Sequence, residues 1–308
     1  MIRGAVIAAV AAAAALPAAA AAAPCRPDGT GPDCRAWTGR VTFVADGDTV
    51  DVNLRGDGTA RPVRVRMVGI QAMEMTRYSR YRSRRRGDCH AVAATNRLED
   101  VVRAARRRVR VLAQDPRSRA RTRLRRLLQV RRGGRWADVA EILLREGHVL
   151  WDPGHAEWAM NGIHFRAAQQ GAASGRRLYD PDTCRTGPSQ SAPLRLRVNW
   201  DAAGNDHANP NGEWVRVRND GGAAVAIGGW WIRDSAFRRF TFPARASIPA
   251  GGAVTLYVGR GDRAGTTFHW GLSAPAFENV SGAPRHMGDG AYLFDPHGDL
   301  RAWDLYGG

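Results

Sequence analysis

The side-chain pattern changes character near residue 190, and this break constrains the fold more than any other feature. Upstream, segments of period two give way to segments of helical period. Downstream, only short period-two segments recur, separated by Asn219-Asp-Gly, Pro249-Ala-Gly-Gly and Asp295-Pro-His-Gly turns. Such a chain can build one core of mixed class and then one all-β core. Residues 186–193, rich in Gly, Pro and Ser, read as the linker between them. A length of 308 residues suits two domains.

Charge breaks at the same place. The 46 basic residues are all arginine, and the net charge is +17. Residues 1–190 hold 34 arginines against 18 acids, whereas 191–308 hold 12 against 11. The excess peaks over 61–135, with 24 arginines and 5 acids. A surplus of this size attracts polyanions: nucleic acid, anionic lipid or acidic glycan. With 44% hydrophobic residues the chain is not wholly disordered, and it lacks the repeated apolar runs of a multi-span membrane protein.

Residues 1–23 read as a secretory signal peptide, with Arg3, an Ala/Val/Ile/Leu run and Ala-x-Ala steps. Secretion, with possible cell-envelope association, is the expected location. An exported chain with four cysteines favours two disulfides, and three pairings exist. The preferred one joins Cys25 to Cys34 within the segment 24–35, and Cys89 to Cys184. His155 and His164 tempt as metal ligands but lack a third at sensible spacing, and the loop with Asp206 and His207 reads as free of ligand.

Residues 36–185 carry the mixed pattern. Strands are expected at Gly39–Ala45, Thr49–Leu54, Val63–Ile70, Val109–Leu112 and Leu124–Arg131. Helices are expected at His90–Arg107, Val139–Glu146 and about 155–173, the second capped by Asp138 with Glu141 three residues on. Five strands and three helices suit an α+β domain: an oligonucleotide-binding-type barrel with helices beneath it.

Two motifs then stand in order: Asp46-Gly47-Asp48-Thr49, and Arg64-Val-Arg66-Met-Val-Gly-Ile-Gln71-Ala72-Met73-Glu74. With Glu141-Ile-Leu-Leu-Arg-Glu-Gly147 after them, they resemble the thermonuclease (staphylococcal-nuclease-like) family. The resemblance covers about half of the chain. It implies an endonuclease hydrolysing DNA and RNA phosphodiesters, with Glu74 as the base that activates water and Arg66 gripping the phosphate. It implies a calcium site at Asp48, with Asp46 nearby and Gln71 where the family has a second aspartate. Gln71 brings a carbonyl oxygen but no charge, so calcium should bind more weakly. The second catalytic arginine is placed at Arg125, with Arg126 as fallback. Tyr78, Tyr81, Arg84 and Arg85 form an Arg/Tyr loop able to track phosphates and stack bases. The chemistry agrees, since phosphodiester cleavage needs an activated water and positive charge around the phosphate.

Residues 194–308 hold six of the ten tryptophans, which suit an aromatic core. Asn211-Gly-Glu-Trp-Val-Arg-Val-Arg-Asn219, Ile227-Gly-Gly-Trp-Trp-Ile-Arg-Asp234 and Ile248-Pro-Ala-Gly-Gly resemble the lamin-tail domain. That implies an immunoglobulin-like sandwich acting as a binding or targeting module, with an envelope or extracellular ligand. A non-catalytic binder of extracellular nucleic acid or another anionic polymer is the rival reading of the whole chain.

Overall fold

The computed structural model describes residues 21–307. The signal-peptide reading of 1–23 therefore lies outside the described residues except for Ala21–Ala23. Those three, with Pro24, pair antiparallel with Asp33–Ala36.

Five strands close the first domain into a barrel: β1 (Asp33–Val44), β2 (Thr49–Leu54), β3 (Val63–Met67), β4 (Arg108–Ala113) and β5 (Arg123–Arg132). Their order is β1-β2-β3-β5-β4, with β4 returning to β1. Only β3 and β5 run parallel, which sets Arg66 opposite Arg125. Alternation fills the interior with Val50, Val52, Val65, Val111 and Leu128. Three helices pack beneath: α1 (Ala91–Ala104), α2 (Val139–Arg145) and α3 (Asn161–Ala173).

Local chemistry sets the boundaries. The turn joining β1 to β2 is an Asx turn, with the Asp48 amide donating to Asp46 Oδ1 at 3.0 Å. A Cβ on Gly47 would sit 2.7 Å from the Cβ atoms of both Ala72 and Ala94, so only glycine lets this turn meet the second motif and α1. The third strand stops at Met67 instead of reaching Ile70. Gly69 takes φ +85°, and Gly69–Gln71 pairs with Leu150–Asp152 instead. α1 ends early because Arg106 and Arg107 turn to positive φ. The expected helix from 155 begins only at Asn161. Its side chain holds the preceding loop, accepting from Gly154 N at 2.9 Å and donating to Gly154 O at 2.8 Å. Asp138 caps α2 by accepting from Glu141 N at 2.9 Å, while the Glu141 carboxylate pairs with Arg145.

The second domain is a sandwich. One sheet orders β6 (Leu194–Asn199), β7 (Trp214–Asn219), β10 (Ala253–Tyr257) and β11 (Thr267–His269). The other orders β9 (Arg239–Thr241), β8 (Trp231–Arg233), β12 (Gly288–Phe294) and β13 (Leu300–Gly307). Val215, Ile232, Phe242, Leu256 and Phe268 lie between them. Of the tryptophans, Trp230 joins this core, whereas Trp231 and Trp303 pack against the first domain. Met73, Leu150 and Tyr179 meet Trp231, Tyr292 and Phe294 there in one apolar cluster.

Both expected disulfides are formed. Cys89–Cys184 lies at the domain junction, where Asp299 Oδ1 accepts from the amides of Thr183 and Cys184 at 2.8 Å. No described helix is long and apolar enough to cross a membrane.

Candidate active site

The two motifs meet at the mouth of the barrel. Asp48, at the foot of β2, is buried and accepts from Ala72 N at 2.8 Å and from Thr49 Oγ1 at 2.8 Å. Its Oδ2 also pairs with Arg66, equally buried on β3. Arg66 donates further to Ile70 O at 3.0 Å and to Gln71 Oε1. A fixed, dry ion pair thus forms the floor, with Gln71 bracing the guanidinium.

Burial lowers the Arg66 pKa to about 10, and the nearby Asp152 and Asp46 oppose that shift. Asp46, beside this pair, has its pKa raised by burial against the pull of Arg66, Thr49 and Arg123. Glu74 is the exposed acid of the group, and among the described residues it makes no ion pair. Its pKa is raised, first by partial burial and then by Asp46, with Arg66, Arg123 and Arg233 pulling the other way.

Strand alternation on β5 separates two adjacent arginines. Arg125 is half-buried and near enough to Asp152 to lower its pKa. Arg126 points the other way and is buried. It donates to Pro116 O at 2.7 Å and Ser118 O at 3.1 Å, with its guanidinium over the Trp37 ring. Arg125, not Arg126, therefore faces the cluster.

The Arg/Tyr loop divides. Tyr78 and Tyr81 are exposed, and Arg84 lies over the Tyr81 ring at 5.0 Å. The pKa of Tyr78 is raised by burial and by Asp46 and Glu74, which puts it at the edge of the cluster. Arg85, expected to bind substrate, is instead buried. It pairs with Glu99 at 3.1 Å and donates to Ser79 O at 3.0 Å and Asn96 Oδ1 at 2.5 Å. A phosphate cannot reach a guanidinium already satisfied inside the fold.

Three members escaped sequence reasoning. Arg123 shares the Arg125 face of β5 and donates to Thr49 Oγ1 at 3.4 Å, a position that period-two alternation could have flagged. Asp152 arrives because its strand pairs with Gly69–Gln71, and burial raises its pKa against Arg66, Arg125 and Arg233. Arg233 comes from the sandwich, buried, and its charge acts on both Glu74 and Asp152. No local signal marks these last two.

As a calcium site the cluster fits poorly. A hard cation wants six to eight oxygens facing it. Here Asp48 and Gln71 turn oxygens toward a guanidinium, and Asp46 Oδ1 accepts from a backbone amide. Arg66 already supplies the positive charge that an ion would bring.

Fold and site together describe a basic oligonucleotide-binding-type barrel with an acid–arginine cluster at its mouth, joined to an immunoglobulin-like sandwich. The family model described as Lamin Tail Domain matches residues 190–307, the sandwich and the segment leading into it. No curated protein matches the chain.

Proposed function

We propose that the barrel domain hydrolyses phosphodiester bonds of DNA and RNA with little sequence preference, as an exported endonuclease. The carrying observation is Glu74: a free carboxylate with a raised pKa, beside the buried Asp48–Arg66 pair and in the field of Arg66, Arg123 and Arg233. The thermonuclease-like order of the motifs supports it. Two disulfides and the apolar N-terminal segment support export.

In this reading the Glu74 carboxylate takes a proton from water, and the water oxygen attacks phosphorus. Arg123 and Arg125 hold the non-bridging oxygens as negative charge builds on them. Arg66, expected to grip the phosphate, is instead buried and already bonded to Asp48, Ile70 and Gln71, so with Arg233 it keeps the local potential positive from within the fold. The ester oxygen leaves and takes up a proton from solvent. Tyr78 offers a ring at the edge of the cluster on which a base can stack. Calcium held by Asp46, Asp48 and Gln71 is the alternative arrangement, and it requires Arg66 to release two partners.

The sandwich has a specific feature that favours a supporting grip on nucleic acid. Arg195 sits opposite Arg218 and Arg197 opposite Arg216 on one exposed face. Like charges directly opposed across strands are destabilising, and Asp220 relieves only the first pair. The neighbouring row holds Trp214, Tyr257 and His269, the last two stacked at 5.4 Å. Arginines beside aromatic rings suit a single-stranded polyanion.

The test incubates the purified full chain with single- and double-stranded DNA and RNA, with calcium and with chelator, beside Glu74→Gln. Expected is cleavage by the parent, little loss in chelator, and a Glu74→Gln variant that binds without cutting. Cleavage by Glu74→Gln at the parental rate overturns the assignment. Binding without digestion under every divalent ion favours the rival, a non-catalytic binder.

A further inference from the structure

The domains face each other across a cleft of about 620 Å³, lined by Asp152, Asp206, Asn279 and Asp289 among others. On its wall three side chains from distant parts of the chain converge. His155 comes from the loop before α3, and Glu278 and His286 come from the long loop between β11 and β12. Their ligating atoms all lie within 4.8 Å of one another. His286 Nδ1 is 2.5 Å from Glu278 Oε1, and His155 Nε2 is 3.9 Å from Glu278 Oε2.

We propose that His155, Glu278 and His286 bind one divalent transition-metal ion of the zinc class, tying the barrel domain to the sandwich. Two imidazoles and one carboxylate form the ligand set of open zinc sites, and imidazole disfavours calcium and magnesium. Tetrahedral ligation at ~2.0–2.2 Å puts donors about 3.4 Å apart, so the 2.5 Å His286–Glu278 contact opens while the 3.9 Å His155–Glu278 separation closes. Both histidines are exposed, so rotamer adjustment supplies both movements. The Glu278 backbone is already fixed, its carbonyl accepting from Tyr306 Oη at 3.0 Å.

A surface His–Glu hydrogen bond alone would account for His286 and Glu278. It leaves His155 unexplained, since 3.9 Å is too long for a hydrogen bond. The same cleft holds two further oddities. Asp206 Oδ1 and Asn279 Oδ1 are buried oxygens without a partner, although Asn279 Nδ2 donates to Asp206 Oδ2 at 2.6 Å. Acceptors left open beside a three-ligand set suit waters ordered around an ion. Among the described residues, the other trio with metal-ligand chemistry, Cys89, His90 and Cys184, has both sulfurs in a disulfide.

The assignment is independent of the nuclease reading. The full chain, stripped with chelator and desalted, is titrated with zinc chloride by calorimetry at pH 7.5. One equivalent per chain is expected, with an apparent Kd of about 1 μM or tighter. His155→Ala/His286→Ala should weaken binding at least about 100-fold. His207→Ala, an exposed histidine of the same cleft outside the trio, should bind as the parent does. Cobalt(II) should give the visible bands of a tetrahedral site in the parent and not in the double variant. Because all substituted histidines are exposed, the metal-free variants should melt with the parent, and zinc should raise the melting point only where the trio is intact. Absence of stoichiometric binding by the parent overturns the proposal. So does a double variant that binds like the parent, or loss of binding in His207→Ala alone.

Discussion

The buried Asp48–Arg66 pair gives the sharpest test of the cluster. Both side chains are nearly solvent-free, at 4% and 7% exposure. Asp48→Ala removes the carboxylate and leaves the guanidinium with only the Ile70 carbonyl and the Gln71 amide oxygen. An uncompensated buried charge of this kind costs about 3–5 kcal/mol. At about 2–4 °C per kcal/mol this lowers the melting point by roughly 6–20 °C. Asp48→Leu combined with Arg66→Met removes both charges, so it should cost clearly less than the sum of the two single changes. A double-mutant cycle by urea denaturation, followed by circular dichroism, isolates the pair from the orphaned Ala72 amide and Thr49 hydroxyl common to both arms. A coupling of at least about 2 kcal/mol is expected. A coupling below about 0.5 kcal/mol refutes the fixed floor, because independent sites add to within that figure. Calcium enters the same experiment. If it raised the parental midpoint and not that of Asp48→Ala, an ion would be displacing Arg66 from Asp48.

Arg125→Ala should cut cleavage at least about 100-fold with little change in midpoint, while Arg126→Ala should cost about 2 kcal/mol or more by emptying a buried, fully bonded guanidinium site; paired rate and melting measurements decide. Breaking Cys89–Cys184 with serines releases a loop of 95 residues and should cost about 4–5 kcal/mol in urea denaturation. Arg197→Glu/Arg216→Glu should weaken binding of single-stranded DNA and flatten its salt dependence, read by fluorescence anisotropy at several salt concentrations. The raised pKa of Glu74 sets the acid limb of the pH–rate profile above the ordinary glutamate value of 4.5, with cleavage rising as pH climbs through it. The same sign means the folded state keeps that proton longer than the unfolded one, so ionising Glu74 weakens the fold as pH rises; Glu74→Gln should melt no lower than the parent at pH 7.

Sequence conveyed what depends on neighbours along the chain. The break between the first two strands at Asp46–Asp48, the cap at Asp138 and the strand over Thr49–Leu54 are local, and each formed as expected. The errors also have local causes, such as the positive φ of Arg106 and Arg107, which ends α1, and the Asn161–Gly154 bonds, which hold residues 155–160 out of α3. What stayed hidden depends on which segments meet. Asp152 reaches the site through pairing with Gly69–Gln71, and Arg233 through the apolar junction around Trp231 and Tyr292. His155 finds its partners only across the cleft, in the other domain.

The arginine surplus shows why a count of charges is a poor map of function. Its members sort by what they meet. Arg66, Arg85, Arg126 and Arg233 are buried, and they spend their donors on carbonyls, carboxylates and amide oxygens of the fold. Removing any of them should cost stability before it costs affinity. Arg123, near Glu74, and Arg125, near Asp152, remain partly open, and the four arginines of β6 and β7 are exposed, two of them paired with Asp220. On the proposed reading, the phosphate-binding area is smaller than the +17 suggests, and it is split between two faces. On that reading the near-neutral domain would contribute one of them, because neutrality of a whole domain says nothing about how its charges are placed on a sheet.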